Sequence, residues 1–223
     1  MTDPKIFIIV PAYNEESKIN EVLTDLTNNY HNIVVVDDCS QDQTTNIVKK
    51  FSVTLLQHPI NRGQGAALET GNQYALNNGA DIIVHFDADG QFLVNEIEDL
   101  IKPIIHEDYD LVLGSRFLEK KSKMPWFKKH ILFPLARLVN RLFFQINLTD
   151  PQSGFRAMST KATHRIKIEQ DQMAHCSEIL HKAFKSKLKI KEIPMTVIYH
   201  RFGNNFSGGL KILKDLIFKK ITK

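Results

Sequence analysis

"DIIVHFDADGQF", residues 81–92, decides the fold. Ile82, Ile83, Val84 and Phe86 make an almost continuous apolar run, with none of the strict alternation expected of a strand wet on one face. Such a run fits a strand buried on both faces, the habit of parallel sheets covered by helices. It ends abruptly in Asp87, Ala88, Asp89 and Gly90. Two carboxylates one residue apart are therefore expected where a sheet opens to solvent.

The pattern repeats upstream and downstream of that stretch. "KIFIIV" (5–10) and "NIVVVDD" (32–38) are also buried strands, and the second also ends in acids. "VTLLQ" (53–57) and "DLVLGSRF" (110–117) add two more. Between them, Ile19, Val22, Leu23, Leu26 and Tyr30 fall at helical spacing, as do Val94, Ile97, Leu100, Ile101 and Ile104. Ile47, Val48 and Phe51 suggest a short helix, and residues 65–79 read as a helix stopped at Gly79. Strand–helix alternation predicts an α/β fold: a mainly parallel sheet with helices on both faces. Later, "DPQSGFRAMS" (150–159) reads as turn and strand, residues 177–185 as a helix, and 188–201 as a strand interrupted by Pro194. No repeat, low-complexity linker or domain boundary interrupts residues 1–223, which read as one domain.

Composition narrows the function classes. A net charge of +4 is too mild to argue for a nucleic-acid partner. The two cysteines, Cys39 and Cys176, share no metal or redox spacing, so a reducing compartment is the default. No signal peptide and no spanning apolar stretch is legible, so the chain is expected in the cytoplasm, at most peripheral on a membrane face. No GxGxxG follows the first strand, which argues against a dinucleotide oxidoreductase. "PAYNEE" is acidic where a nucleotidyltransferase usually carries a Gly-rich, basic loop.

Ligands of open α/β sheets bind beyond the carboxyl ends of the strands. Here those ends deliver Pro11 to Glu15, Asp37 and Asp38, Asn61 to Gly65, then Asp87, Asp89 and Gln91, and finally Ser115 and Arg116. One acid at a strand end is usually a helix cap, the reading preferred for Asp42. A whole rim of them reads as a site. Residues i and i+2 of an extended chain point the same way, so Asp87 and Asp89 repel unless a cation intervenes. Mg²⁺ or Mn²⁺ suits one or two carboxylates completed by phosphate oxygens and water. The pair therefore predicts a divalent ion carrying a diphosphate.

"PAYNEE", "VVDDCSQDQT", "NRGQGAAL", "DADGQF", "GSRF" and "DPQSGFRAMS" occur in the order seen in family 2 glycosyltransferases of GT-A fold. Over nearly its whole length the chain resembles the branch of dolichyl-phosphate mannose synthases and their polyprenyl-phosphate relatives. The resemblance implies that Pro11, Tyr13 and Glu15 surround the base and ribose of a nucleoside-diphosphate sugar of GDP-mannose or UDP-glucose type. Asp38 becomes a further nucleotide contact, with Asp37 beside it. Asp87, Ala88 and Asp89 match the metal and diphosphate motif, with Gln91 as an extra ligand. Arg116 faces sugar or phosphate, residues 150–156 border the acceptor, and Arg201 matches an arginine near the diphosphate. Two features depart from the family's patterns. Gly-x-Ser-Lys does not follow that arginine, where "RFGNNFSGG" stands instead. The Gln-x-x-Arg-Trp of processive polysaccharide synthases is absent, against polymerisation.

The residues leave the acceptor open. A saccharide hydroxyl must lose a proton and needs a base, for which Asp150 is the first candidate and Glu178 the weaker. A lipid phosphate is already an anion, and Asp150 would then only orient its neighbours. Residues 120–146 and 210–223 alternate basic and bulky apolar side chains. Both suit an anionic membrane surface, and both also suit plain packing on the domain. The activity the resemblance implies is an inverting, metal-dependent transfer of one sugar to a polyprenyl (dolichyl) phosphate. The competitors are transfer to a saccharide hydroxyl and a non-catalytic sugar-nucleotide binder, the latter opposed by the intact acidic pair.

Overall fold

A computed structural model describes residues 3–118 and 148–198. The basic segment 120–146, the tail 210–223, His200 and Arg201 lie outside the described residues. Seven strands form one sheet: β1 (Ile6–Ala12), β2 (Ile33–Asp37), β3 (Thr54–Gln57), β4 (Ile82–His85), β5 (Leu111–Ser115), β6 (Arg156–Ser159) and β7 (Ile190–Pro194). Their spatial order is β3-β2-β1-β4-β6-β5-β7. All neighbours are parallel except β6, which runs antiparallel to both β4 and β5.

The helices are α1 (Ile19–Thr27), α2 (Thr44–Val48), α3 (Gln64–Asn77), α4 (Ile97–Glu107, entered through a 3₁₀ turn at Val94–Glu96), α5 (Thr160–Arg165) and α6 (His175–Lys185). The pleat sends alternate residues of each strand to opposite faces, and two cores result. Ile8, Val10, Val35 and Val84 pack with Ile19, Leu23, Leu26, Ile97 and Leu100 of α1 and α4. Phe7, Ile9, Val34 and Ile83 pack with Ala67, Leu68, Ile179 and Leu180 of α3 and α6. This double cover is why the central strands carry no polar alternation.

Three elements differ from expectation. The strand expected over 188–201 is described only as β7, Ile190–Pro194, ending at the proline. The last described helix begins at His175, not Ser177. Helix α5 is not visible as apolar periodicity; it is started by Ser159, whose Oγ accepts from Ala162 N at 3.1 Å.

From β1 the chain crosses to β2 on one side, while β4 lies on the other side of β1. The β1/β4 boundary is thus a topological switch point, where the loops leaving the strands diverge and leave a crevice.

Candidate active site

The crevice is a cavity of about 330 Å³, lined by Pro11, Ala12, Tyr13 and Glu15 beyond β1, Asp38 beyond β2, Gln64 and Ala67 of α3, Asp87, Ala88 and Asp89 beyond β4, and Met173. Four carboxylates thus share one cavity wall. Among the described residues, no three His, Cys, Asp or Glu side chains converge closely enough to hold a metal by themselves. An ion here would need oxygens from a ligand, as Mg²⁺ does when bound through one or two carboxylates and phosphates.

The rim is built from loop-to-loop hydrogen bonds. Asn14, at φ 55°, receives Gln41 N on Oδ1 at 2.8 Å and donates its own N–H to Ser40 Oγ at 2.9 Å. Glu15 N donates to Thr44 Oγ1 at 2.8 Å. Asp42 accepts from Thr44 N at 2.9 Å and Glu16 N at 3.1 Å, as a capping acid should. The DADG turn is braced by aromatic rings: Phe86 meets Phe92 and Phe155 edge-on at 5.8 and 5.7 Å, and Phe92 stacks on Phe155 at 5.0 Å.

Crowding of the acids has an electrostatic signature. Glu15 is pushed up to about 7, first by burial, then by Asp89 and Asp42. Asp87 is also pushed up to about 7, by burial and then Asp89, while Arg156 pulls the other way. Asp87 Oδ1 accepts from Gln64 Nε2 at 2.9 Å, and Asp89 Oδ1 accepts from Gln91 N at 3.0 Å. Neither bond supplies a positive charge. The donor set therefore fits a divalent cation, whose field would reverse the mutual repulsion.

Several expected roles change. Asp37 does not line the cavity; its carboxylate accepts from Ser40 N at 3.1 Å and Thr45 Oγ1 at 2.6 Å, fastening the next turn. Asp38 does line it, but its oxygens already accept from His58 Nδ1 (2.7 Å), Arg62 N (3.0 Å) and Gly63 N (2.6 Å). It holds the 58–63 loop, and Gly63 at φ 109° supplies a conformation side chains disfavour. Gln91 is absent from the lining; its carbonyl receives Ile198 N at 2.9 Å.

Arg116 and Asp150 are brought together, though not onto the cavity wall. Arg116 Nε and Nη2 each reach a different Asp150 oxygen at 2.6 Å, and Arg116 N adds a third bond at 3.2 Å. Asp150 is 1% exposed. The turn carrying it is set by Glu192 on β7, which accepts from Thr149 N and Asp150 N, both at 2.8 Å. Glu178 Oε2 accepts from Glu169 N (3.1 Å) and Gln170 N (2.9 Å), and Oε1 pairs with Lys182 at 2.8 Å.

Gln64 and Met173 are cavity residues that sequence reasoning did not single out. Gln64 stands inside "NRGQG", a segment already placed at the rim, so a signal existed. Met173 had none. It arrives through a loop pinned to α3, where Gly65 N donates to Asp171 O at 2.8 Å and Gln172 Nε2 to Arg62 O at 2.9 Å.

Comparison with known proteins agrees with this architecture. The model of "Glycosyl transferase family 2" matches residues 7–167. An uncharacterized protein of Methanocaldococcus jannaschii is 42% identical, over 97% of this chain and 93% of its own length. A UDP-N-acetylglucosamine–dolichyl-phosphate N-acetylglucosaminyltransferase of Methanococcus voltae is 37% identical, over 100% of this chain and 99% of its own. Among solved structures, glucosyl-3-phosphoglycerate synthase from Mycobacterium tuberculosis, crystallised with Mg²⁺ and UDP, superposes with a TM-score of 0.75. That match covers 96% of this chain and 79% of that one at 18% identity, and so speaks to the shared GT-A fold alone. A GT-A sheet with its acids at the switch point, matched across most of its length by the family's pattern, identifies the chain as a glycosyltransferase enzyme belonging to glycosyl transferase family 2, in the polyprenyl-phosphate branch that its motifs resemble.

Proposed function

We propose that the protein transfers one sugar from a nucleoside-diphosphate sugar to a polyprenyl phosphate, with inversion at the anomeric carbon. The observation that carries the phosphate acceptor is the engagement of both candidate bases. Asp150 gives both oxygens to Arg116, and Glu178 gives its own to backbone amides and Lys182. A hydroxyl acceptor needs a carboxylate ready to take its proton; a phosphate, ionised near neutral pH, does not. The name of the 37%-identical relative supports the same acceptor class.

In this reading Asp87 and Asp89 hold Mg²⁺ or Mn²⁺. The ion supplies positive charge to the leaving diphosphate. Pro11, Tyr13 and Glu15 form the wall for base and ribose, and Asp38 shapes that wall through the 58–63 loop. Gln64 orients Asp87. Arg116, whose guanidinium Asp150 holds off the cavity wall, would add positive charge on the acceptor side, an electrostatic contribution made before the reaction begins. Arg201, matched by the resemblance to an arginine near the diphosphate, would complete the set. The basic segments 120–146 and 210–223 bring the enzyme to the anionic surface in which the lipid acceptor resides, on the cytoplasmic face.

A panel of UDP- and GDP-sugars with Mn²⁺ and a short polyprenyl phosphate tests this. Sugar is expected in the organic phase, and EDTA should abolish the transfer. Sugar on a free saccharide but never on the lipid would refute the acceptor, and undiminished transfer in EDTA would refute the metal.

A further inference from the structure

Residues 166–174, between α5 and α6, form neither helix nor strand, yet the stretch from Glu169 to His175 is fastened at both ends and in the middle. Glu178 of α6 accepts from Glu169 N at 3.1 Å and Gln170 N at 2.9 Å. Asp171 O accepts from Gly65 N at 2.8 Å and Ala66 N at 3.3 Å, amides of the first turn of α3 that have no partner inside their helix. Gln172 Nε2 donates to Arg62 O at 2.9 Å. Gln172 O accepts from His175 N at 3.1 Å and from His175 Nδ1 at 3.0 Å, and His175 is 1% exposed. The two backbones meet closely. A methyl group on Gly63 would lie 2.5 Å from Asp171 O, and one on Gly65 would collide with Gln170 O.

What this fastening presents is Met173. Its side chain takes no part in those bonds, stays 51% exposed and lines the cavity. An isolated exposed apolar side chain needs no explanation. Two observations set this one apart. The segment is held by polar bonds on either side of Met173, so the residue is fixed in place without being buried. It also stands on a wall shared with four carboxylates, where, of the large apolar side chains exposed among the described residues, only Tyr13 joins it. Carboxylates and a cation serve the diphosphate of a donor, whereas the faces of its base and sugar rings need apolar cover. A methionine moulds to such a face through its flexible, polarisable thioether. We propose that Met173 packs on a ring of the nucleoside-diphosphate sugar, and that residues 169–175 hold it there, with Gln172 as a positioning residue outside the cavity. The inference rests on the reading of this cavity as the donor site and extends it to a wall that no strand end supplies.

The test uses the full chain with Met173→Ala, Met173→Leu, Gln172→Ala and the double variant Gln172→Ala/Met173→Ala. UDP-N-acetylglucosamine, UDP-glucose and GDP-mannose, each with Mn²⁺ and no acceptor, are titrated by calorimetry. For the donor that wild type binds, Met173→Ala should weaken affinity by about five- to tenfold, the share of apolar area its side chain would cover. Met173→Leu, which keeps the bulk, should recover most of that loss. Gln172→Ala should weaken binding severalfold in the wild-type background and scarcely at all once Met173 is alanine, because both act through one contact. In turnover, Met173→Ala should raise the donor KM, with kcat within about twofold and the KM for polyprenyl phosphate unmoved. A merely structural residue would lower the melting temperature and leave donor affinity alone. Unchanged donor affinity in Met173→Ala, a shift in the lipid KM instead of the donor KM, or an equal effect of Gln172→Ala in both backgrounds would overturn the inference. Wild type that binds none of the three donors would overturn the donor reading and this inference with it. Wild-type binding that Met173→Ala leaves intact overturns this inference alone.

Discussion

Asp150→Asn separates a positioning role from a basic one. In the folded protein Asp150 accepts three hydrogen bonds from Arg116, two of them at 2.6 Å, and is 1% exposed. The amide would keep one oxygen and turn an NH₂ toward a guanidinium that can only donate. Breaking a buried pair from one side costs about 3–5 kcal/mol. The Arg116 side chain keeps 16% exposure, so the low end, about 3 kcal/mol, applies. At roughly 2–4 °C per kcal/mol for a chain of this size, the melting temperature should drop by about 6–12 °C. Turnover should fall by about 10²- to 10³-fold, the scale of one lost electrostatic donor. Losing a base would cost about 10²- to 10⁴-fold, so magnitude alone does not discriminate. Two further measurements do. Arg116→Ala with Asp150→Asn should be scarcely worse than either alone, because both remove one unit. The pH–rate profile on lipid phosphate, corrected for the acceptor's own ionisation near a pKa of about 6, should keep its shape in Asp150→Asn. A wild-type acid limb that vanishes in the variant would refute this reasoning and make Asp150 a base for a hydroxyl acceptor.

Other outcomes follow from the same geometry. Glu15 rises from 4.5, and Asp87 from 3.8, to about 7, so the folded state keeps protons that the unfolded chain has released. This part of the stability falls as pH rises from about 4 to 7, and it should be recovered by Mn²⁺ above that range. A differential melt against Glu15→Gln and Asp87→Asn checks it, and variants with wild-type pH dependence would contradict it. Gly154→Ala places a methyl 2.8 Å from Asp87 Oδ2 and should cut activity at least tenfold through the displaced carboxylate, at a stability cost of about 1–3 kcal/mol. Full activity in a folded Gly154→Ala protein, assayed with saturating Mn²⁺, would show that Asp87 need not hold its position. Sedimentation with anionic vesicles should decline as salt rises and weaken on deletion of residues 210–223. Absence of sedimentation at low salt would leave the basic segments as packing.

The sequence by itself determined the sheet and the address of the site. Apolar runs without alternation, four of them ending in acids or amides, specify doubly covered parallel strands, and their carboxyl ends specify one rim. Asp87 and Asp89 were legible because two carboxylates one residue apart, just beyond an apolar strand, must crowd one another; the structure places them in the turn after β4, which ends at His85. Tertiary structure decided what each acid does. Asp37 and Asp38 are adjacent and chemically identical, yet one fastens a turn and the other clasps the 58–63 loop, because neighbours from Ser40 to Gly63 reach them only after folding. Asp150 read as an available base until Arg116, 34 residues away, closed on both its oxygens. Met173 carries no local signal, and Arg156 stands opposite His85 only because β6 enters the sheet antiparallel beside β4. Local pattern records which surfaces are dry and where strands end. Which donor meets which acceptor depends on contacts between segments distant in the chain, and no periodicity encodes those.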